Sequence, residues 1–178
     1  MNYRNLFGAF VIFFFFVYTI FYSRSQKENA PASVVCVPMD EINQSSPPCL
    51  QMYDAIIKYA EKYNIPKRYA FGIAWCETRY GGPFDWKYDH KKISSAGAIG
   101  PMQIMPSTAK SHWKDSSFTE KQLKDNIDFN VHTSMKVLRK LYDKFGDWKL
   151  VFGCYNTGRP MVNDYAIRVY NHKVNWKF

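Results

Sequence analysis

Three short segments carry residue types that do chemistry. The first is Glu77, which the apolar pattern before it places at the C-terminal end of a helix. There the negative end of the helix dipole and partial burial both disfavour the carboxylate and raise its pKa. A carboxyl kept protonated near neutral pH is what a general acid requires, although a lone helix-end Glu beside Arg79 also reads as an ordinary surface ion pair. The second is the run from Gly97 to Pro106, Gly-Ala-Ile-Gly-Pro-Met-Gln-Ile-Met-Pro. Its glycines let the backbone approach a ligand closely, Pro101 fixes a turn, and Gln103 offers both a donor and an acceptor. It lacks the Lys-Ser/Thr ending of a phosphate-cradling loop. The third is Cys154-Tyr155-Asn156-Thr157-Gly158, a phenol beside an amide at a helix end. His90, His112, His132 and His172 show no zinc spacing, so neither a metal site nor a cofactor is expected.

Helices must position these groups. From Met52 onward Ile56, Ile57, Ala60 and Tyr63 form one stripe, with Lys58, Glu61 and Lys62 opposite. A second helix is predicted from Pro66 to about Thr78, stopped by Gly81, Gly82 and Pro83, with a loop to about Ile99. A short helix from Pro106 to Trp113 and a long one from about Asn126 to Phe145 follow; in the latter Val131, Met135, Leu138 and Tyr142 recur at helical spacing. Gly146 ends it, and Asp147 is a natural N-cap for a helix through Val151 to Tyr155. A last helix is predicted over roughly Met161 to Asn171. No convincing alternation of period two appears, so the fold class is mainly α.

The chain has 178 residues, 47% of them hydrophobic and 18% aromatic, which excludes disorder for most of its length and suits one domain. No repeat of solenoid period is present. Leu6 to Tyr22 is uncharged and Phe-rich, and its 17 residues make a helix of roughly 26 Å, close to the hydrocarbon thickness of a bilayer. Tyr22, Ser23 and Arg24 follow directly, without the small residues of a cleavage site, so residues 1–30 read as an uncleaved signal anchor, a transmembrane helix. Residues 31–50 read as a Pro-containing linker and 51–178 as the functional domain. Cys36 and Cys49 lie in that linker; they could pair if the segment is exported and are spare thiols if it is cytosolic, and their spacing does not decide between the two. Residues 1–30 hold only Arg4, Arg24, Lys27 and Glu28 of the charged residues, so most of the net charge of +9 belongs to the remainder. The lysines are dispersed rather than clustered around a reading helix, which argues against nucleic acid as the partner.

Taken together and in order, the motifs resemble those of the catalytic domain of lytic transglycosylases, lysozyme-like enzymes that cleave the glycan strand of peptidoglycan. The resemblance covers about Met52 to Tyr170. It rests on Glu77-Thr78, the run Gly-Pro-Met-Gln-Ile-Met-Pro-Ser-Thr-Ala from Gly100 to Ala109, the helix start Asn126-Ile127, and Phe145-Gly146-Asp147-Trp148 leading into Tyr155-Asn156. It departs where family members commonly have Glu-Ser and Ala-Tyr-Asn, and where Gly158-Arg159-Pro160 runs almost directly into the helix bearing Tyr165.

The resemblance implies a lysozyme-like helical domain with a substrate cleft. Glu77 would act as acid and then base in cleaving the β-1,4 bond between N-acetylmuramic acid and N-acetylglucosamine, leaving 1,6-anhydro ends. Thr78, Met102, Gln103, Tyr155, Asn156 and Tyr165 would bind substrate or orient the acid. Goose-type lysozymes share the layout and carry acidic loop residues; on that pattern Asp85 or Asp89 would be a second carboxylate, activating water for hydrolysis. A non-catalytic peptidoglycan-binding component of an envelope machine or virion is the reading from another class. Cys76 adjoins Glu77 and Cys154 adjoins Tyr155, in segments that the family fold brings together; a disulfide there would pin the site, but helix orientation could equally point the two thiols apart. The implied partners are glycan strands, the membrane through residues 6–22, and envelope-spanning secretion, conjugation or viral machinery. The catalytic domain would then lie in the periplasm or otherwise outside the cytoplasmic membrane, or at a virion membrane if the protein is viral.

Overall fold

A computed structural model describes residues 46–113 and 118–176. Seven helices occur among the described residues: α1 (Pro48–Lys62), α2 (Lys67–Thr78), α3 (Pro106–His112), α4 (Glu120–Asp125), α5 (Ile127–Phe145), α6 (Trp148–Thr157) and α7 (Asp164–Tyr170). Their starts are written in local chemistry. Thr119 and Gln122 exchange side-chain and backbone bonds in a capping box at α4, and the side chains of Asn126, Asp147 and Asn163 accept backbone N–H bonds at α5, α6 and α7. Gly146 and Gly158 close α5 and α6 in the left-handed conformation that a side chain disfavours.

The helices expected from sequence are present, with shifted edges. The first begins at Pro48, inside the stretch read as linker, and Cys49 is a core residue only 1% exposed. The proline pair that looks like linker composition supplies a proline in the first turn, where its missing N–H costs nothing. Helix α4 was not anticipated, because six residues with one buried side chain, Leu123, are too few to show a period. The last helix starts at Asp164 rather than Met161, since Asn163 provides its cap. The anchor expected over residues 6–22, and Cys36, lie outside the described residues. Among the described residues no helix is long and apolar enough to cross a membrane.

Helix α5 is the axis of the core. Its stripe of Ile127, Val131, Met135 and Leu138 is buried, as are Met52, Ala55, Ile56 and Ala60 of α1, which packs against it. Helices α6 and α7 pack on each other, and α7 also packs on α2. The α6–α7 connection approaches so closely that a Cβ on Gly153 would overlap the carbonyl of Met161. Between α2 and α3 the chain forms a long loop whose only pairing is two isolated antiparallel bridges, Ile93 to Ile99 and Ile99 to Ile104.

One contact between α1 and α5 is sensitive to pH. The His132 ring stacks on Tyr59 at 4.1 Å, meets the edge of Trp113 at 4.9 Å, and shares a 2.8 Å hydrogen bond between Nε2 and the Tyr63 hydroxyl. Burial, reinforced by the charge of Lys62, lowers its pKa from 6.5 to about 4. The unfolded chain therefore binds a proton more readily than the folded one between those values, and this site loses stability as pH falls through that window. The stability of the protein relative to its His132→Gln variant should decline from about pH 6.5 to about pH 4, as read from urea midpoints across that range.

Candidate active site

The site is assembled around the C-terminal end of α2. Arg79 turns the chain there with a φ of 60°, and its N–H bonds the carbonyl of Trp75. The carboxyl of Glu77, in the last turn of α2 and partly buried, accepts a 2.6 Å hydrogen bond at Oε1 from the hydroxyl of Tyr165 in α7. Burial raises the Glu77 pKa, and the Tyr165 bond and the charge of Lys92 oppose it without reversing it. Tyr165 is itself buried, and burial together with the Glu77 charge holds its hydroxyl protonated, as a donor must be. The Nζ of Lys92 donates a 2.6 Å bond to the main-chain carbonyl of Glu77.

Facing this helix end is a wall made by residues 99–104. Ile99 and Ile104 bond each other through both backbone groups, and Gly100 sits between them at φ 80°. A Cβ at Gly100 would overlap the Asn130 side chain and the Leu123 carbonyl, so only glycine fits. Asn130, fully buried on α5, explains that crowding: its Oδ1 accepts from the N–H of Met102 at 2.9 Å, and its Nδ2 donates to the carbonyls of Ile99 (2.9 Å) and Leu123 (2.8 Å). From α6, the Tyr155 hydroxyl donates to the carbonyl of Met102 at 2.7 Å and lies 2.9 Å from Ser134 Oγ. Thr78 completes the frame, donating to the carbonyl of Pro101 at 2.9 Å and bonding the Tyr88 hydroxyl at 2.8 Å.

The residues singled out from sequence thus separate by function. Glu77 and Tyr165 meet directly. Tyr155 lies close enough to Glu77 that the carboxylate, after burial, helps hold its phenol protonated. Thr78 and both backbone groups of Met102 are engaged inside the protein, and the Met102 side chain is fully buried. Gln103, at φ 50°, anchors its Nε2 on the carbonyls of Gly100 and Lys92. Asn156 is exposed, accepting a 3.2 Å bond from Asn163 Nδ2. Asp85 accepts from the N–H of Gly81 and Asp89 from that of Lys91; both bear on Tyr88, and neither contributes to the shift of Glu77.

The described cysteines are unpaired. Cys76 and Cys154 are free thiols; burial raises the pKa of each, opposed by the charge of Arg168 of α7 at Cys76 and of Lys144 at Cys154. Cys49 is likewise free and is held in the core. Two residues of the frame escaped the sequence reading. Asn130 left a signal, a polar side chain three residues after Ile127 on the buried stripe of α5; Lys92, one of several loop lysines, left none.

The helical frame and the partly buried Glu77 carboxyl at the end of α2 define a lysozyme-like domain. Residues 54–177 match the Transglycosylase SLT domain, and the chain belongs to that family. Its fold is similar to the structure of the 70-kDa soluble lytic transglycosylase of Escherichia coli and to that of the 70-kDa soluble lytic transglycosylase in complex with bulgecin A. In each case the TM-score is 0.51 and the identity 27%, over 66% of this chain and 18% of the other. A transglycosylase of Enterobacteria phage PRD1 is 28% identical over 114 residues, which are 64% of this chain and 37% of the phage protein. The chain therefore matches less than half the length of these relatives.

The wall generates a test. Asn130→Ala leaves one N–H and two carbonyls without their partner and should lower folding stability by about 3 kcal/mol. Asn156→Ala, at an exposed position, should leave stability unchanged; urea denaturation of the two variants makes the comparison.

Proposed function

We propose that this chain is a peptidoglycan lytic transglycosylase in which Glu77 serves first as general acid and then as general base. The observation that carries the reading is the Glu77 carboxyl itself: partly buried, raised in pKa, and bonded at Oε1 by Tyr165, which leaves Oε2 to carry the transferable proton. Oε2 protonates the glycosidic oxygen as the bond to the anomeric carbon of N-acetylmuramic acid breaks. The resulting carboxylate takes the proton of the C6 hydroxyl as that oxygen attacks the same carbon, closing the 1,6-anhydro ring. No water is consumed and Glu77 ends protonated, ready for another cycle. The substrate acetamido group stabilises the cationic intermediate, so a second protein carboxylate is unnecessary.

The engagement of Asp85 and Asp89 with nearby backbone N–H groups supports this route over hydrolysis. Gln103, whose Oε1 remains an acceptor, and the exposed Asn156 are the side chains that would hold the sugar. The apolar run at residues 6–22 supports a membrane tether, with the domain on the face of the membrane where peptidoglycan lies. Such a tethered enzyme suits wall opening for a secretion or conjugation apparatus or for a virus crossing the envelope. The basic surface would favour encounter with an anionic polymer.

Mass spectrometry of digested peptidoglycan should show 1,6-anhydro-muramic ends. Glu77→Gln should reduce turnover at least about a hundredfold while leaving glycan binding intact, and Asp89→Asn should remain active. Reducing ends, together with loss of activity in Asp89→Asn, would replace this reading with the hydrolytic one. Activity should also fall as pH rises through the raised pKa of Glu77, because the acid form is then lost.

A further inference from the structure

Lys92 is tied to both halves of the site by different parts of the residue. Its carbonyl accepts from the N–H of Gly100 at 2.9 Å and from Gln103 Nε2 at 3.0 Å, which joins it to the wall. Its side chain reaches back to α2, where Nζ bonds the main-chain carbonyl of Glu77 at 2.6 Å. That carbonyl belongs to the last turn of the helix, where carbonyls lack intrahelical partners and a cation is favoured. The ammonium is thereby fixed close to the Glu77 carboxyl without bonding it. A direct ion pair would hold the carboxyl ionised and remove the acid; a cation one group away leaves it able to carry a proton and stabilises the anion formed once the proton has gone.

We propose that Lys92 is a positioning residue for Glu77, clamping the helix end that carries it and supplying the cation that faces its carboxylate form during the reaction. The assignment rests on Glu77 being the acid. The other groups bearing on Glu77 are protonated and uncharged. Tyr165 faces it from α7 and Tyr155 from α6, both with pKa values raised by burial, and Cys76, also raised by burial, adjoins it on α2 with Arg168 beyond. Among the described residues, Lys92 is the one charged group that contributes to the shift of Glu77. Its side chain is exposed, and the bonds of its backbone persist in any substitution, so a variant isolates the ammonium from the wall.

The test uses the full chain with 13C-labelled glutamate, the Glu77 carboxyl signal being identified by its loss in Glu77→Gln. In Lys92→Met the NMR titration midpoint of Glu77 should move to higher pH, and the alkaline limb of the kcat/KM profile on peptidoglycan should move with it. Turnover should fall severalfold with KM nearly unchanged. Lys92→Gln, which keeps a donor but not the charge, should titrate like Lys92→Met, and Lys92→Arg should restore the original midpoint. An unchanged midpoint in Lys92→Met, or a Lys92→Arg variant that titrates like it, overturns the proposal. The titration reads the role of Lys92 even in a chain that cleaves no glycan, so failure of the transglycosylase reading would show separately, as no cleavage by the parent chain or as activity surviving in Glu77→Gln.

Discussion

Removing an ionisable carboxyl from water without giving it a full ion pair is the constraint around which this domain is built. Glu77 is displaced from water far enough to raise its pKa, and the hydrogen bond from Tyr165 keeps it in a defined place. That bond spans 88 positions of the sequence, from the end of α2 to α7. The packing of α7 on both α2 and α6 therefore serves the chemistry as well as the core. The close approach at Gly153, where a larger residue would meet the backbone of Met161, helps hold the connection into α7 close to α6.

The wall opposite Glu77 is irregular backbone, and irregular backbone near a core requires partners for its polar groups. Asn130 supplies two of them while also bonding the Leu123 carbonyl of α4, Tyr155 supplies a third and Thr78 a fourth. These side chains come from α5, α6 and α2, so the loop is fixed by three separately formed helices rather than by its own sequence. A network of this kind costs stability when one member is removed and confers rigidity when all are present. Rigidity at this point would suit the proposed mechanism, in which one carboxyl addresses two oxygens of the sugar in succession.

Much of the frame was legible beforehand because it is local. The helix starts at Asn126 and Asp147, the stops at Gly146 and near Thr78, and the buried stripe of α5 all follow from neighbours a few positions apart. The misread pieces were local as well, but ambiguous. Pro47-Pro48 is at once linker composition and a helix start, and α4 is shorter than the period that would reveal it. The order of the motifs groups Glu77, Tyr155 and Tyr165 but does not express what each side chain contacts. Tyr155 holds the wall and Tyr165 the acid, a division that no spacing along the chain expresses.

By itself the sequence determined most of the helical segments, which of their faces are apolar, and that a glutamic acid stands at a helix end followed by a loop containing glycines. Those properties depend on periodicity and on capping, both of which act within a turn or two. Only the tertiary structure decided that the Glu77 carboxyl is held by Tyr165, that Asn130 carries the wall, that Lys92 bridges the two, and that Cys76 and Cys154 face different neighbours. Each of these depends on which way a side chain points once its helix has been rotated into the core. That rotation is set by the summed packing of all the helices, and side-chain contacts between distant segments exist only after it is fixed.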